Sequence, residues 1–363
     1  MPAAFYGMIA NLDENLGKLE AFLENKGLKE KTILIYMSDN GTQSTAASQI
    51  YNAGTRAKKT SVCEGGHRVP LFIRWPNGKL KHGTETGELT QVQDLLPTLI
   101  NLCELRNKDS KFDGQSLAGL LKGTKTQLPD RKLVIQYRDS GNPWNPAVVL
   151  WKKWRLLKEK KGRKPQKKNA PLELYHVGRD PGQKRNIATK FPKIVETMKE
   201  HYEEWHTEAR QLFNRKRWIT IGSKQANPMV LYAQDRVGDY CDNPRGLTTA
   251  TATGYCNVIV DRPGTYEIEL RRWPKESNKT LTEPWDDSPA KKQSAIAFAS
   301  MDIANDGMLK DVKPTDTHAT FRLDLPTGKT QLLTHFIDKD GQALGSAIYV
   351  YVRGIEKTAA LTR

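Results

Sequence analysis

The feature that most constrains the fold is a pair of apolar strands joined by a long polar loop. Thr32–Met37 is a run rich in β-branched and aromatic residues, which predicts a central strand covered on both faces. It ends at Ser38-Asp39-Asn40-Gly41, and the returning strand is Leu71–Pro76. A helical pattern of apolar residues over Phe5–Asn25 precedes the first strand. The order of helix and strand predicts an α/β domain, in which ligands bind at the carboxyl ends of strands.

Asp39 and Asn40 place a carboxylate beside a carboxamide where the first strand ends. Adjacent oxygen donors of this kind suit a hard cation such as Ca²⁺ or Mg²⁺. The same residues are ordinary turn formers, so a simple turn is the alternative interpretation. The loop Asn52–Pro70 favours a site, because it is dense in lysine, arginine and glycine. A basic loop placed after a metal ligand can hold an anionic substrate.

The motifs in this region, taken together, resemble a known family. They are Ser38-Asp39-Asn40-Gly41, Arg56-x-x-Lys59, Glu64-Gly65-Gly66-x-Arg68-Val69-Pro70-Leu71 and Arg74-Trp75-Pro76. Their order and spacing are similar to the second half of the catalytic domain of type I sulfatases, in the alkaline phosphatase superfamily. The resemblance extends from about Phe5 to the end of the chain.

The resemblance implies roles for four residues. Asp39 and Asn40 would ligate the active-site Ca²⁺, in preference to Mg²⁺, and Lys59 would contact the sulfate ester as a catalytic and substrate-binding residue. Arg56 matches the motif as a further substrate-binding residue. His67 and His82 are the histidines nearest to these residues in sequence, and the simpler interpretation of both is a loop or surface histidine.

The family's nucleophile is absent from the sequence. Sulfatases of this type use a formylglycine made from the Cys or Ser of a Cys/Ser-x-Pro/Ala-x-Arg motif, and none of the 363 residues lies in such a motif. No early Asp-Asp pair is present either. We therefore expect the sequence to be truncated, with Met1 an internal methionine of a longer protein. We also expect the chain alone to be inactive and to bind Ca²⁺ poorly.

Three domains are predicted: residues 1–130 as the second half of the sulfatase α/β domain, 131–217 as its small C-terminal subdomain, and 218–363 as an all-β sandwich. The subdomain is predicted from strands at Leu133–Tyr137, Val148–Leu157 and Leu172–Tyr175, with a long helix over Phe191–Phe213. Between its strands lies a basic run, Lys158–Lys168. This run is a solvated hairpin tip or, alternatively, a contact surface for a sulfated polymer.

From Trp218 onward, short alternating segments separated by Gly, Pro and Asp predict the sandwich. The segment resembles the extra C-terminal domain of some bacterial arylsulfatases. Trp273, Trp285 and Tyr240 could stack on sugar, although buried aromatics are the commoner explanation. Cys241 and Cys256 either form a disulfide or remain two free thiols.

A net charge of +16 favours acidic partners. No zinc-finger spacing, RNA-recognition motif or basic zipper is present, so nucleic acid is not expected as a partner. No apolar run reaches the roughly 18 residues of a membrane span, and no signal peptide is recognisable at residues 1–20. Localisation in the periplasm or outside the cell is inferred for the complete protein from the family alone.

The sequence therefore predicts a sulfuric ester hydrolase acting on sulfate esters, with sulfated carbohydrate as the expected substrate. One alternative is a phosphoester or phosphonate hydrolase of the same superfamily, which would share the metal-binding Asp39 and Asn40. A second alternative is a noncatalytic protein that binds polyanions or glycans, for which the net charge and the sandwich are the supporting features.

Overall fold

The structure, a computed structural model, describes residues 2–106, 110–137, 143–159, 171–213, 215–239, 252–284 and 296–355. The chain divides into two units, Met1–Phe213 and Asn214–Arg363, called here the first unit and the second unit. The further division of the first unit at residues 130 and 131 stays a prediction. The basic residues 160–168, Tyr240, Cys241 and Trp285 lie outside the described residues.

The first unit combines helices with two small sheets. Its helices are α1 (Pro2–Asn25), α2 (Thr45–Ile50), α3 (Glu64–His67), α4 (Leu95–Leu102), α5 (Ala118–Leu121) and α6 (Pro192–Phe213). Its strands are β1 (Leu34–Met37), β2 (Leu71–Arg74), β3 (Lys132–Gln136), β4 (Ala147–Trp151), β5 (Trp154–Lys158) and β6 (Glu173–His176).

The helix α1 and the strands β1 and β2 confirm the elements predicted for residues 5–76. Gly27 ends α1 in a left-handed conformation, φ 64°, as expected for a helix C-terminus. Within the described residues β1 pairs only with β2, and the pairing is antiparallel. The prediction that β1 is covered on both faces is wrong, because β1 has a single neighbouring strand and its side chains are half-buried or exposed.

The second sheet of the first unit is antiparallel, in the order β3-β4-β5-β6. The stretch predicted as one strand, Val148–Leu157, is a hairpin of two strands, because Lys152 adopts a left-handed turn conformation, φ 51°. Helix α6 packs on this sheet through the fully buried Met198 and Tyr202, which contact Val149, Leu156 and Leu174. The predicted helix over this part of the chain is confirmed.

Asp94 immediately precedes α4 but does not cap it. Its side chain makes no capping hydrogen bond to α4 and instead accepts two hydrogen bonds from Arg131, both at 2.7 Å. The backbone N–H groups of Gln91 and Gln115 also donate to it. Burial alone raises the pKa of Asp94, but the Arg131 and N–H donors outweigh it and lower the pKa below its usual value. Asp94 is structural.

The second unit is built from strands. They are β7 (Ile219–Ile221), β8 (Met229–Tyr232), β9 (Val237–Gly238), β10 (Gly254–Val260), β11 (Gly264–Arg271), β12 (Ile296–Ile303), β13 (Asp306–Asp311), β14 (Ala319–Leu325), β15 (Gly328–Asp338), β16 (Ala343–Gly345) and β17 (Tyr349–Gly354). One sheet runs β13-β12-β15-β10-β7, with β16 on β15 and β9 on β10; the other runs β14-β11-β17-β8.

Both sheets of the second unit contribute to one hydrophobic core. Val258 and Met301 from the first sheet and Ile268, Leu270 and Val352 from the second are among its members, each at most 1% exposed. Trp273 is 2% exposed and its indole N–H donates to the Glu283 carbonyl. It is therefore a buried aromatic, and the sugar-stacking interpretation of Trp273 is wrong.

Candidate functional site

The loop after β1 is held by its own side chains. The Ser38 hydroxyl donates to the Asn40 carbonyl at 3.0 Å, and the Asn40 side-chain N–H donates to the Asp39 carboxylate. Asp39 is exposed and Asn40 is half-buried. The two predicted metal ligands therefore lie next to each other where the strand ends, with the Asn40 side-chain N–H directed at the Asp39 carboxylate.

Two backbone hydrogen bonds join this loop to the basic loop that follows α2. The Gly41 N–H donates to the Gly66 carbonyl, and the Lys59 N–H donates to the Thr42 carbonyl, both at 3.0 Å. A Cβ added at Gly41 would lie 1.9 Å from the Gly65 carbonyl oxygen, so only glycine permits this approach. The structure thus brings together residues that are 25 positions apart for Gly41 and Gly66 and 17 positions apart for Thr42 and Lys59.

Lys59, the predicted sulfate ligand, is half-buried. Its ammonium has no hydrogen bond or ion pair to any other residue that the structure describes. The neighbouring Lys58 differs, because its ammonium donates to the Gln43 carbonyl at 3.1 Å. Ala57 and Thr60, on either side of the two lysines, have φ angles of 65° and 75°, which are costly for residues other than glycine. Lys59 is thus a positive group available to an anion.

Arg56, the second predicted substrate-binding residue, is already engaged. Its Nη1 lies 3.1 Å from the Glu173 carboxylate and 2.8 Å from the Tyr175 hydroxyl on β6, and it also donates to the Gln183 carbonyl. Burial together with Glu173 raises the pKa of the Tyr175 hydroxyl to about 12. Arg56 ties the basic loop to the four-stranded sheet in this structure.

Helix α3 carries a buried carboxylate. Glu64 is 1% exposed, and its Oε1 accepts from the Nε–H of Arg155 on β5 at 2.6 Å. The Glu64 backbone N–H donates to the buried side chain of Gln183. His67 Nε2 lies 3.8 Å from Glu64 Oε1 and makes no hydrogen bond within the described residues. Burial, and to a smaller extent the charges of Arg155 and Arg68, lower the pKa of His67 to about 4 even though Glu64 opposes the shift.

Cys63 precedes α3 and is completely buried. Its thiol lies 3.3 Å from the Glu159 carboxylate, which also accepts hydrogen bonds from Ser61 and the backbone of Val62. Burial and the Glu159 charge raise the pKa of Cys63 to about 12. Because a thiolate is the nucleophilic form, Cys63 is not poised as a nucleophile.

The donor set for a metal ion is incomplete. The carboxylate of Asp39 and the carboxamide of Asn40 have the hard oxygen chemistry that suits Ca²⁺, but Ca²⁺ takes about six to eight oxygen ligands. No group of three or more His, Cys, Asp or Glu side chains that could hold a metal occurs among the described residues. Asp39 and Asn40 can therefore supply part of a calcium shell and do not complete one.

Arg155, Gln183 and Glu159 contact the site region but were missed from the sequence. Arg155 gives a signal in retrospect, since it interrupts the apolar strand Trp154–Leu157 and a charge in a buried strand requires a partner. Gln183 and Glu159 lie in turns and strand ends where polar residues are ordinary, so no pattern marks them.

Comparison with known proteins finds a similarity between the first part of the chain and one family. Residues 1–105 match the family model described as Sulfatase. Arylsulfatase K from Danio rerio is 25% identical over 199 residues, covering 54% of this chain and 35% of the relative. N-acetylgalactosamine-6-O-sulfatase from Bacteroides thetaiotaomicron is 26% identical over 223 residues, covering 55% of this chain and 41% of the relative. The chain spans less than half the length of these curated relatives.

Solved structures give matches of similar extent. The phosphonate monoester hydrolase of Agrobacterium radiobacter aligns with a TM-score of 0.43 at 23% identity, covering 56% of this chain and 40% of that one. A 2-O GAG sulfatase aligns with a TM-score of 0.38 at 23% identity, covering 51% of this chain and 38% of that one. The sequence matches show that about half of this chain is similar to proteins named as sulfatases. Residues 1–105 carry a sulfatase-family domain.

Proposed function

We propose that the first unit is part of a sulfuric ester hydrolase that acts on sulfated carbohydrate. The observation that carries the proposal is the pair of backbone hydrogen bonds from Gly41 to Gly66 and from Lys59 to Thr42. They join the loop that carries Asp39 and Asn40 to the loop that carries Lys59, whose ammonium has no partner among the described residues. The relatives are named as an arylsulfatase and an N-acetylgalactosamine-6-O-sulfatase, and the net charge of +16 suits an anionic substrate.

Each predicted site residue has a place in this proposal. Asp39 and Asn40 would ligate Ca²⁺ together with further ligands, and the ion would supply positive charge near the sulfate. Lys59 binds a nonbridging oxygen of the sulfate ester and stabilises the charge that develops there. Arg56 would have to exchange its bonds to Glu173 and Tyr175 for a bond to substrate, so we place it at the edge of the site.

The nucleophile is proposed to lie outside these 363 residues, since no Cys/Ser-x-Pro/Ala-x-Arg motif occurs among them. We also propose that the complete protein is exported to the periplasm or out of the cell. Residues 218–363 are proposed to be an accessory β-sandwich. No helix among the described residues is both long and apolar enough to cross a membrane.

The first test is to read the coding DNA upstream of the Met1 codon in the same frame. An open frame that encodes the Cys/Ser-x-Pro/Ala-x-Arg motif supports the proposal. A stop codon directly upstream overturns it for this polypeptide. The purified 363-residue chain is expected to show no turnover of an aryl sulfate, and clear turnover would contradict the placement of the nucleophile.

Lys59→Ala is the decisive variant, made in the product of the complete open frame. It is expected to lower kcat/KM for a sulfated sugar by about 10²- to 10³-fold, because the group that neutralises the sulfate is removed. Lys58→Ala is the matched control, since the Lys58 ammonium already binds the Gln43 carbonyl. An equal loss in both variants would show that general positive charge, rather than Lys59, holds the substrate.

A further inference from the structure

The candidate site depends on a buried ion pair that reaches it from the four-stranded sheet. Glu64 on α3 and Arg155 on β5 are joined at 2.6 Å, with side chains 1% and 8% exposed. Arg155 is further fixed by Nη1, which donates to the carbonyls of Lys152 and Trp154, both at 2.9 Å. A rigid hairpin therefore holds the carboxylate of Glu64 in one place.

The position of Glu64 is passed directly to the two loops of the site through the backbone. Gly65 and Gly66 follow Glu64 in α3, and their backbone is where the site loops meet. The Gly65 N–H donates to the Arg56 carbonyl at 2.8 Å, and the Gly66 carbonyl accepts from Gly41. A Cβ at Gly65 would lie 2.3 Å from the Ala57 carbonyl oxygen, so the two backbone segments are in close contact. A shift of α3 must move the loop that carries Lys59 and the loop that carries Asp39.

We propose that Arg155 is a positioning residue of the site: through Glu64 it fixes α3, and through the Gly65-Gly66 backbone it sets the placement of Lys59 relative to Asp39 and Asn40. The catalytic meaning of this placement rests on the proposed function. The placement itself does not, and it can be measured without any turnover. Arg155 lies outside the segment matched by the sulfatase family, so the four-stranded sheet becomes part of the site's construction.

A second consequence concerns which group near Glu64 takes up a proton when Arg155 is removed. Oε2 of Glu64 and Nε2 of His67 are buried and make no hydrogen bond within the described residues. The charged groups facing His67 are Glu64 and Arg68 on or next to its own helix and Arg155 from β5. Removing Arg155 leaves the buried Glu64 carboxylate with the mostly exposed Arg68, 3.6 Å from its Oε2, as its remaining ion-pair partner. His67 is the nearby group that can take up a proton and supply further positive charge.

The test compares Arg155→Met with Arg131→Met in the 363-residue chain. Arg131 is a matched control because it forms an equally buried pair with Asp94, with side chains 9% and 0% exposed, in the same unit. Amide hydrogen exchange of Gly41 and Lys59 is the main readout, since each donates one of the two bonds that join the loops. We expect Arg155→Met to speed exchange at both amides by at least about tenfold relative to Arg131→Met.

Titration of His67 by NMR is the second readout, which tests whether the Arg155 charge acts at α3. The pKa of His67 is expected to rise by about one unit or more in Arg155→Met and to stay near 4 in Arg131→Met. Arg155→Lys retains the positive charge and is expected to fall between wild type and Arg155→Met in both measurements. If Arg155→Met does not fold, the comparison of Arg155→Lys with wild type replaces it.

Equal exchange at Gly41 and Lys59 in the two methionine variants would overturn the proposal, because the pair would then contribute only to general stability. An Arg155→Lys chain that exchanges as fast as Arg155→Met would also overturn it, since the charge of the pair would then be irrelevant. Faster exchange without any sulfatase activity in the complete protein would support the positioning role and contradict the proposed function, so the two claims fail separately.

Discussion

The part of the first unit formed by α1, β1 and β2 and the core of the second unit differ in how they bury the same kinds of apolar side chain. In the second unit Ile268, Leu270 and Met301 are completely buried between two sheets. In the first unit Met8 on α1 and Phe72 on β2 are each 65% exposed. A sheet or helix buries its apolar face only when a second layer covers it. The difference shows that exposed apolar side chains of α1 and β2 lack a covering layer among the described residues, whereas the core of the second unit has two sheets that contribute to it.

Two phenylalanines give the largest test of this comparison. Phe321 on β14 is 4% exposed and Phe72 on β2 is 65% exposed. We expect Phe321→Ala to lower the free energy of unfolding of the second unit by about 3–5 kcal/mol, because it leaves a cavity. Phe72→Ala should change the stability of the first unit by no more than about 0.5 kcal/mol. Urea unfolding followed by circular dichroism measures both, and equal costs would break the comparison.

The burial of His67 gives the second test. It asks whether water is excluded around α3 in the first unit as it is from a hydrophobic core. The pKa of His67 is lowered to about 4 from an ordinary value of 6.5. Between these values the unfolded chain takes up a proton that the folded chain does not, so stability falls as the pH drops from about 6.5 towards 4. The loss is up to about 3 kcal/mol.

His67→Gln is expected to remove this part of the pH dependence, measured by urea unfolding at pH 7 and pH 4.5. His82→Gln serves as its control, since the His82 side chain is exposed, and should leave the slope unchanged. A slope that persists in His67→Gln would mean that α3 is not buried as the structure has it.

The smallest effect concerns the exposed face of β2. Phe72 pairs across the strands with Tyr36, ring centroids 6.1 Å apart, on a two-stranded sheet without further partners among the described residues. An apolar sheet with open edges favours association. Phe72→Lys is expected to reduce self-association by a fewfold in sedimentation velocity with no change in folding. The equivalent change on an exposed charged strand, Asp311→Lys, should have no such effect.

The fold was predictable where periodicity is local. The apolar run at Thr32–Met37 predicted β1, and the helical spacing of apolar residues over Phe5–Asn25 predicted α1. The division of Val148–Leu157 into a hairpin was not predictable. Its turn residue Lys152 has φ 51°, and lysine is not one of the residue types that mark such turns in a sequence. Trp273 lies just beyond the end of β11, and its hydrogen bond to the Glu283 carbonyl is a contact that alternation along a strand does not reveal.

The site was predictable as a set of residues and only partly as an arrangement. The family resemblance pointed to Lys59, Asp39 and Asn40, but nothing in their spacing shows that Gly41 touches the Gly65 backbone. Arg56 illustrates the limit: the motif suggests a substrate ligand, while its partner Glu173 is 117 residues away. Contacts at such separation are set by how sheets and loops pack, which one sequence does not encode in any readable pattern.

The position of β15 in the second unit has a consequence for the order in which the protein can be built. Strand β15 lies between β10 and β12 and is the partner of both. The ribosome makes β10 and β12 first, yet neither has its main partner until residues 328–338 emerge. The sheet must therefore close late and over long stretches of chain, which is slow. A nascent chain that ends before Gly328 would contain β10 and β12 but would lack β15, the strand that lies between them in the sheet.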